Sequence, residues 1–250
     1  GSTYYTHGVN MIPFYIYYSM FGFQRIGDLA WAAGDMQVRG FLIGGTAGRT
    51  TLAGEGLQHQ DGHSLVVAGT IPNCISYDPT YAYELAVIVH HGMQRMFKDH
   101  DNVFFYITSM NENYHHPAMP KGVEDGIIKG MYCLAEDKKR GQRVQLMGSG
   151  TILREVIAAA ELLQSDFKIN ADIWSMTSIN ELAREASDVA RWNRLHPTRK
   201  PKQSYLEQQL QGRSGPAVIA TDYIRSYAEQ IREYMPMNLH VLGTDGFGRS

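Results

Sequence analysis

Short apolar runs alternate along the chain with stretches of helical periodicity. The run Phe14–Met20 (FYIYYSM) is aromatic and apolar without polar alternation, which predicts a strand buried on both faces, with a helix over 24–33 behind it. A second strand is predicted over Gly40–Ile43, closed by Gly44 and Gly45 and followed by a glycine-rich loop over 44–62. Leu65–Ala68 is a further short apolar stretch before a turn at Ile71–Pro72. Cys74–Tyr77 reads as a strand ending at Asp78–Pro79, where Asp78 is placed to cap a helix that Pro79 opens and that carries Tyr81 to Phe97. Val103–Thr108 (VFFYIT) is another strand.

The pattern breaks at His115–Pro120, where two prolines in four residues mark a linker, and then restarts. Val144–Met147 is a predicted strand and Gly148–Gly150 a turn. Thr151–Gln164 is a helix whose apolar positions 152, 153, 156, 157, 160 and 163 share one face. Strands are expected over Ala171–Met176, Ala217–Ala220 and Leu239–Leu242, with a helix over Thr221–Tyr234. Arg191–Gly215 is expected to be an exposed excursion. Strand–helix alternation on both sides of the linker predicts an α/β protein of two domains with mainly parallel sheets.

A length of 250 residues with 44% hydrophobic positions is enough to bury a real core. The 23 basic and 25 acidic side chains leave a net charge of -2, so no basic footprint for nucleic acid is present. Cys74 and Cys133 are the two cysteines, without a short metal-binding spacing, which disfavours a disulfide scaffold or zinc knuckle and favours a reducing compartment. No apolar run is long enough to cross a membrane, and the first residues lack the pattern of a signal peptide. A soluble, cytoplasmic protein is expected. The opening Gly1–Ser2 without Met, and a close at Leu242–Ser250 that reads as a strand running into a loop, lead to the expectation of a piece of a longer protein.

The segment richest in chemistry is Gly54–His63 (GEGLQHQDGH), which sets two His and two carboxylates in a glycine-rich loop after a strand, where parallel α/β folds place their sites. His59 and His63 have the spacing of a metal-binding pair, but the Glu of HExxH is missing and Gly62 weakens the helix that spacing needs. A second reading is acid–base work by His59 beside Glu55, and a third is a solvated turn whose histidines only make hydrogen bonds. Gly148–Ser149–Gly150 resembles the start of a dinucleotide fingerprint, but position 153 is Leu, which favours a tight turn. The adjacent pairs His90–His91 and His115–His116 cannot share a helix face. No GxSxG elbow occurs. The aromatics Tyr15, Tyr17, Tyr18, Phe21 and Phe23 read as sheet core, with those at the end of the strand also able to stack on a flat ring.

Five runs carry a family resemblance: FYIYYSMFGFQRIGDLAWAAGD (14–35), FLIGGTAGRTTLAGEGLQHQDGHS (41–64), TIPNCISYDPTYAYELAVI (70–88), YITSMNENYHHPAMPKG (106–122) and the final VLGTDGFGRS. Together they resemble bacterial homodimeric pyruvate dehydrogenase, the thiamine-diphosphate-dependent first component of the pyruvate dehydrogenase complex, within the transketolase superfamily. Gln60 stands where Glu is common in that family.

The resemblance implies that residues 1–120 are the later part of the middle, aminopyrimidine-binding domain. Residues 121–250 would be the early part of a transketolase-like C-terminal domain, both incomplete. It implies thiamine diphosphate and Mg as cofactors, pyruvate as substrate, and a lipoyl-bearing dihydrolipoyl acetyltransferase as partner in a homodimeric parent enzyme. Tyr18 and Phe21 would hold the aminopyrimidine, while His59 and Glu55 would be catalytic and Asp61 and His63 would shape the loop. The diphosphate and Mg ligands, and the glutamate that bonds the ring, would lie outside this chain, so that it would hold no metal and be inactive alone. On residue types by themselves, a metal-dependent hydrolase or a non-catalytic α/β binding module stays open beside this reading.

Overall fold

The computed structural model describes residues 1–52 and 54–246. After helix α1 (Thr3–His7), the chain forms β1 (Phe14–Tyr18), α2 (Phe23–Asp35), β2 (Phe41–Gly45), α3 (Ser64–Thr70) and β3 (Cys74–Tyr77). Then come α4 (Ala82–Met93), which ends in a wider turn over Gln94–Lys98, and β4 (Phe104–Thr108). These four strands make one parallel sheet in the order β1-β2-β4-β3. Residues 109–123 hold no helix or strand.

The chain continues with α5 (Glu124–Lys129), β5 (Tyr132–Ala135), β6 (Arg143–Gly148), α6 (Ile152–Phe167) and β7 (Asn170–Ser175). It closes with α7 (Ile179–Leu195), α8 (Tyr205–Leu210), β8 (Ala217–Ile224), α9 (Arg225–Glu229) and β9 (Leu239–Thr244). The second sheet has the order β5-β7-β6-β8-β9, with β5 alone antiparallel. The expected α/β class with two mainly parallel sheets is therefore what forms.

Alternate residues of the strands feed different cores, as the two-residue repeat requires. Phe104 and Tyr106 of β4 face a core shared with Leu65 of α3, Met147 of β6, Trp174 of β7 and Leu182 of α7, so one apolar body joins the two sheets. Phe105 and Ile107 face the opposite way, onto Ile88 of α4, Ile127 of α5 and Tyr132 of β5. On the outer face of the second sheet, α6 packs Leu153 and Val156 on Val144 and Leu146. The open remainder of that face is an apolar groove of about 950 Å³ walled by residues such as Leu163, Val218 and Leu242, none of them from the first sheet.

Beside this shared apolar core the two sheets also meet through buried polar contacts. The Asp78 carboxylate accepts from Ser149 Oγ and Thr108 Oγ1, each at 2.6 Å. Glu84 accepts from Tyr132 Oη at 2.7 Å and Ser175 Oγ at 2.6 Å. Asn180 donates to the Leu65 carbonyl and Ser76 Oγ, and accepts from Gln230.

Several expectations are corrected. The run from Phe14 forms a strand, but one that ends at Tyr18 and is exposed rather than buried on both faces: Ile16 is 71% exposed. The reason is position, since β1 is the outer strand and pairs only with β2. Asp78 does not cap a helix. Helix α4 starts later, at Ala82, and the carboxylate that serves its first turn is Glu84, which accepts from the Thr80 and Tyr81 N–H groups at 2.5 and 3.0 Å.

The stretch Leu65–Ala68 lies in helix α3, and the helix expected over 221–234 is mostly strand at its start, because β8 runs on to Ile224 and leaves α9 only five residues. The 191–215 excursion holds the end of α7 and all of α8, whose Leu206 and Leu210 are buried. The turn at Gly150 (φ +51°) sits where a Cβ would stand 2.9 Å from the Asp78 carboxylate, so this corner faces a buried acid and not a phosphate. The loop expected after Leu242 begins at Asp245, and from 247 onward it lies outside the described residues.

Burial pushes the Asp78 carboxyl from its ordinary 3.8 up to about 6, against the pull of the Ser149 and Thr108 hydroxyls. The folded state thus holds a proton that the unfolded chain releases near pH 4. The contribution of Asp78 to stability is greatest below that pH and is lost as pH rises through about 6, by on the order of 3 kcal/mol. Asp78→Asn keeps the shape without the charge, so urea titrations should show the variant more stable than the parent at pH 8 and nearly equal to it at pH 4. An equal difference at both pH values would reject this account.

Candidate active site

Two neighbouring parallel strands deliver the candidate residues. β1 ends at Tyr18, and a tight turn over Ser19–Phe21 carries Phe21 to the top of the sheet before α2 begins with Gln24 and Arg25 on its first turn. β2 ends at Gly45, and its loop returns through a turn at Leu57–His59 before α3. The close crossing requires glycine at 44, where a Cβ would stand 2.5 Å from Tyr106 Oη and 2.9 Å from Ser19 Cβ.

All four residues expected to act together are brought together. The His59 ring centroid lies 5.2 Å from that of Tyr18 and 5.3 Å from that of Phe21, and the two aromatic rings are 5.9 Å apart. His59 Nδ1 is 3.2 Å from the Glu55 carbonyl oxygen and 3.9 Å from its carboxylate. A carbonyl can only accept, so Nδ1 carries the proton and Nε2 keeps the lone pair in the neutral ring. The imidazole and the carboxylate are both partly exposed, as groups that exchange protons with a ligand need to be. Met20, Phe21, Gln24, Arg25, Gln58 and His59 line a cleft of about 540 Å³. The Arg25 guanidinium stands over the Phe21 ring, 4.2 Å from its centroid.

The remaining loop residues do structural work. Asp61 is fully buried and accepts from the His63 and Ser64 N–H groups, each at 3.0 Å, and from Ser64 Oγ, while Gln24 donates to it at 3.4 Å. It thereby holds the start of α3 and ties the loop to α2. His63 contributes backbone there.

Among the described residues no group of three or more His, Cys, Asp or Glu is placed to hold a metal ion. Arg25 and Gln24 escaped the sequence reading because one basic and one amide residue on a helix look like an ordinary solvated face. Their only signal was their position directly after the aromatic turn.

What this arrangement offers chemically is an aromatic slot for a flat ring, an imidazole of defined tautomer, and a cation for an anionic ligand. Comparisons with known proteins show what the chain as a whole is similar to. Residues 1–117 match the family described as pyruvate dehydrogenase E1 component middle domain, and residues 130–250 match the transketolase-like TK C-terminal domain. The pyruvate dehydrogenase E1 component of Pseudomonas aeruginosa is 66% identical over 252 residues, covering 100% of this chain and 29% of the relative. That of Escherichia coli K12 is 59% identical over 251 residues, covering 100% of this chain and 28% of the relative. The chain thus spans under a third of the length of these curated relatives.

Among solved structures, transketolase from Campylobacter jejuni superposes with a TM-score of 0.67 at 15% identity, over 96% of this chain and 32% of that one. Transketolase from Leishmania mexicana gives 0.66 at 15% identity, over 94% and 30%. At such identities the likeness is one of fold.

Because Asp61 satisfies three donors at the entrance to α3, its loss leaves them unpaired in a buried place. Asp61→Ala is expected to cost about 2 kcal/mol or more in urea unfolding, the scale of lost hydrogen bonds to a charged group. A change below about 0.5 kcal/mol would show that Asp61 does not hold the loop.

Proposed function

The chain belongs to the bacterial pyruvate dehydrogenase E1 family, and from that premise we propose that it forms the aminopyrimidine-facing, proton-handling part of a thiamine-diphosphate site that decarboxylates pyruvate. In this reading the acetyl group passes to the lipoyl group of a dihydrolipoyl acetyltransferase. Residues 1–120 are the later part of the middle domain and 121–250 the early part of the C-terminal domain. The enzyme is a homodimer in the cytoplasm. No helix among the described residues is long and apolar enough to cross a membrane.

The observation that carries the proposal is the convergence of Tyr18, Phe21, His59 and Glu55 at the carboxyl edge of one parallel sheet, beside a cleft. The residues present suit a planar heterocycle with polar edges: two aromatic side chains stand near 5 to 6 Å from each other and from the imidazole, and Gln24, Arg25 and Gln58 line the cleft beside them. They do not suit the diphosphate with its Mg, for which no metal-holding group is found among the described residues. Those ligands are assigned to other parts of the full-length protein.

When bound, thiamine diphosphate supplies a carbanion for attack on the carbonyl and a sink for the electrons left when carbon dioxide departs. This chain's own residues cover the ring, orient the substrate and move a proton. Tyr18 and Phe21 exclude water from the ring face. Arg25 offers charge-assisted hydrogen bonds to the carboxylate of pyruvate. His59 accepts and returns a proton at Nε2, while the Glu55 carbonyl fixes its tautomer and the Glu55 carboxylate stabilises the imidazolium.

In the full-length enzyme His59→Ala should lower turnover by about 10²-fold or more, the scale of a positioned acid–base group, with cofactor affinity little changed. Near-normal turnover in steady-state assays would return His59 to a packing role. For the 250-residue chain alone, calorimetry should find thiamine diphosphate bound more weakly than about micromolar and no release of carbon dioxide from pyruvate. Submicromolar binding would show that the diphosphate and metal contacts are not needed from elsewhere.

A further inference from the structure

The loop that bears Glu55 and His59 is held from the other domain. Its neck closes on itself through the Asp61 N–H, which donates to the Gly48 carbonyl at 3.0 Å. One side of that neck rests on Asp222 of β8, in the second sheet. Its carboxylate accepts from the Arg49 N–H at 2.5 Å, the Thr50 N–H at 2.9 Å and Thr50 Oγ1 at 2.7 Å. The other side rests two residues further along the same strand, where the Ile224 N–H donates to the Gly62 carbonyl at 3.0 Å.

Local backbone geometry serves this grip. The pairing of β8 with β9 shifts register between Ala220 and Ile224, the kind of irregularity that re-aims side chains at a strand end. Gly48 has φ +80°, and a Cβ there would stand 2.4 Å from the Asp222 carboxylate, so the loop approaches as closely as a glycine permits. A Cβ on Gly62 would strike the Arg49 guanidinium, which itself donates to Thr244 Oγ1 on β9. Asp222 is buried and touches neither the aromatic slot nor the cleft.

We infer that Asp222 is a positioning residue: a side chain of the second domain that sets the loop carrying Glu55 and His59, and through it the place of the imidazole. The inference rests on the catalytic role proposed above for His59.

The test combines kinetics of the full-length enzyme with hydrogen exchange. Asp222→Ala should lower kcat about 10- to 100-fold, the scale of a slightly misplaced catalytic group, while the KM for pyruvate changes less than about threefold because Tyr18, Phe21 and Arg25 stand on β1, on α2 and on the turn between them. Added to His59→Ala, it should cause no further loss, since a residue that acts only through His59 has nothing left to position. Amide exchange should rise at least about tenfold in 49–60 and stay unchanged in β6 and β7. Thr50→Val, which removes one of the three donors from the loop side, should move the same quantities in the same direction by less and guards against a variant of Asp222 that does not fold.

Losses that multiply in the double variant, or exchange in 49–60 that does not change, would overturn the inference. Should His59→Ala alone prove harmless while exchange in 49–60 still rises in Asp222→Ala, the anchoring would stand, but the inference that Asp222 serves a catalytic His59 would fall together with the role proposed for that residue.

Discussion

Asp78 and Glu84 lie in a seam where water does not solvate them, so each must draw its hydrogen bonds from the chain, and part of what each finds belongs to the opposite sheet. Ser149 follows β6 and Ser175 ends β7, while both carboxylates follow β3. Unpaired, either buried carboxylate would cost several kcal/mol. The two sheets are therefore docked in one register and not merely pressed together by their shared apolar core. With that register set, the carboxyl ends of β1 and β2 and the far end of β8 come to one place, and the loop between β2 and α3 has a second domain to rest on.

What could be read from the sequence followed local signals. Cys74–Tyr77 was legible as a strand to the residue, because a short apolar run is closed by Asp-Pro. The apolar spacing of α6 announced its buried face, borne by Leu153 and Val156. The helix α7 was overlooked although Ser178 and Glu181 mark its start, with Ser178 Oγ accepting from the Glu181 N–H. The capping box at Ser204 and Glu207, which opens α8, was overlooked in the same way. The exposure of β1 could not be read at all. Whether an aromatic strand is central or at an edge depends on pairing partners far away in the chain.

The candidate site divides along the same line. Glycine-rich sequence after a strand singled out His59 and Glu55 without separating acid–base work from a solvated turn, and the aromatic end of β1 read first as sheet core; the roles of Tyr18, Phe21, His59 and Glu55 came from the family resemblance. Their proximity, however, is a property of the parallel pairing of β1 with β2, which puts both carboxyl ends side by side. Asp222 was read only as part of a helix that does not form there. An acid distant in sequence from the loop it grips leaves no periodicity and no spacing to find. The apolar groove on the outer face of the second sheet shares no lining residue with this cleft.

The closed neck of the loop after β2 has a consequence for how such a protein can vary. Since Gly48 and Asp61 meet and are clamped to β8 on both sides, the chain between them is a cassette whose ends are fixed whatever its contents. Lengthening a loop with fixed ends adds only about 0.6 kcal/mol per doubling. The fold itself therefore tolerates changes between the two ends, and it is the work proposed for Glu55 and His59 that constrains the contents, whereas Gly48, Gly62 and Asp222 are constrained by the clamp.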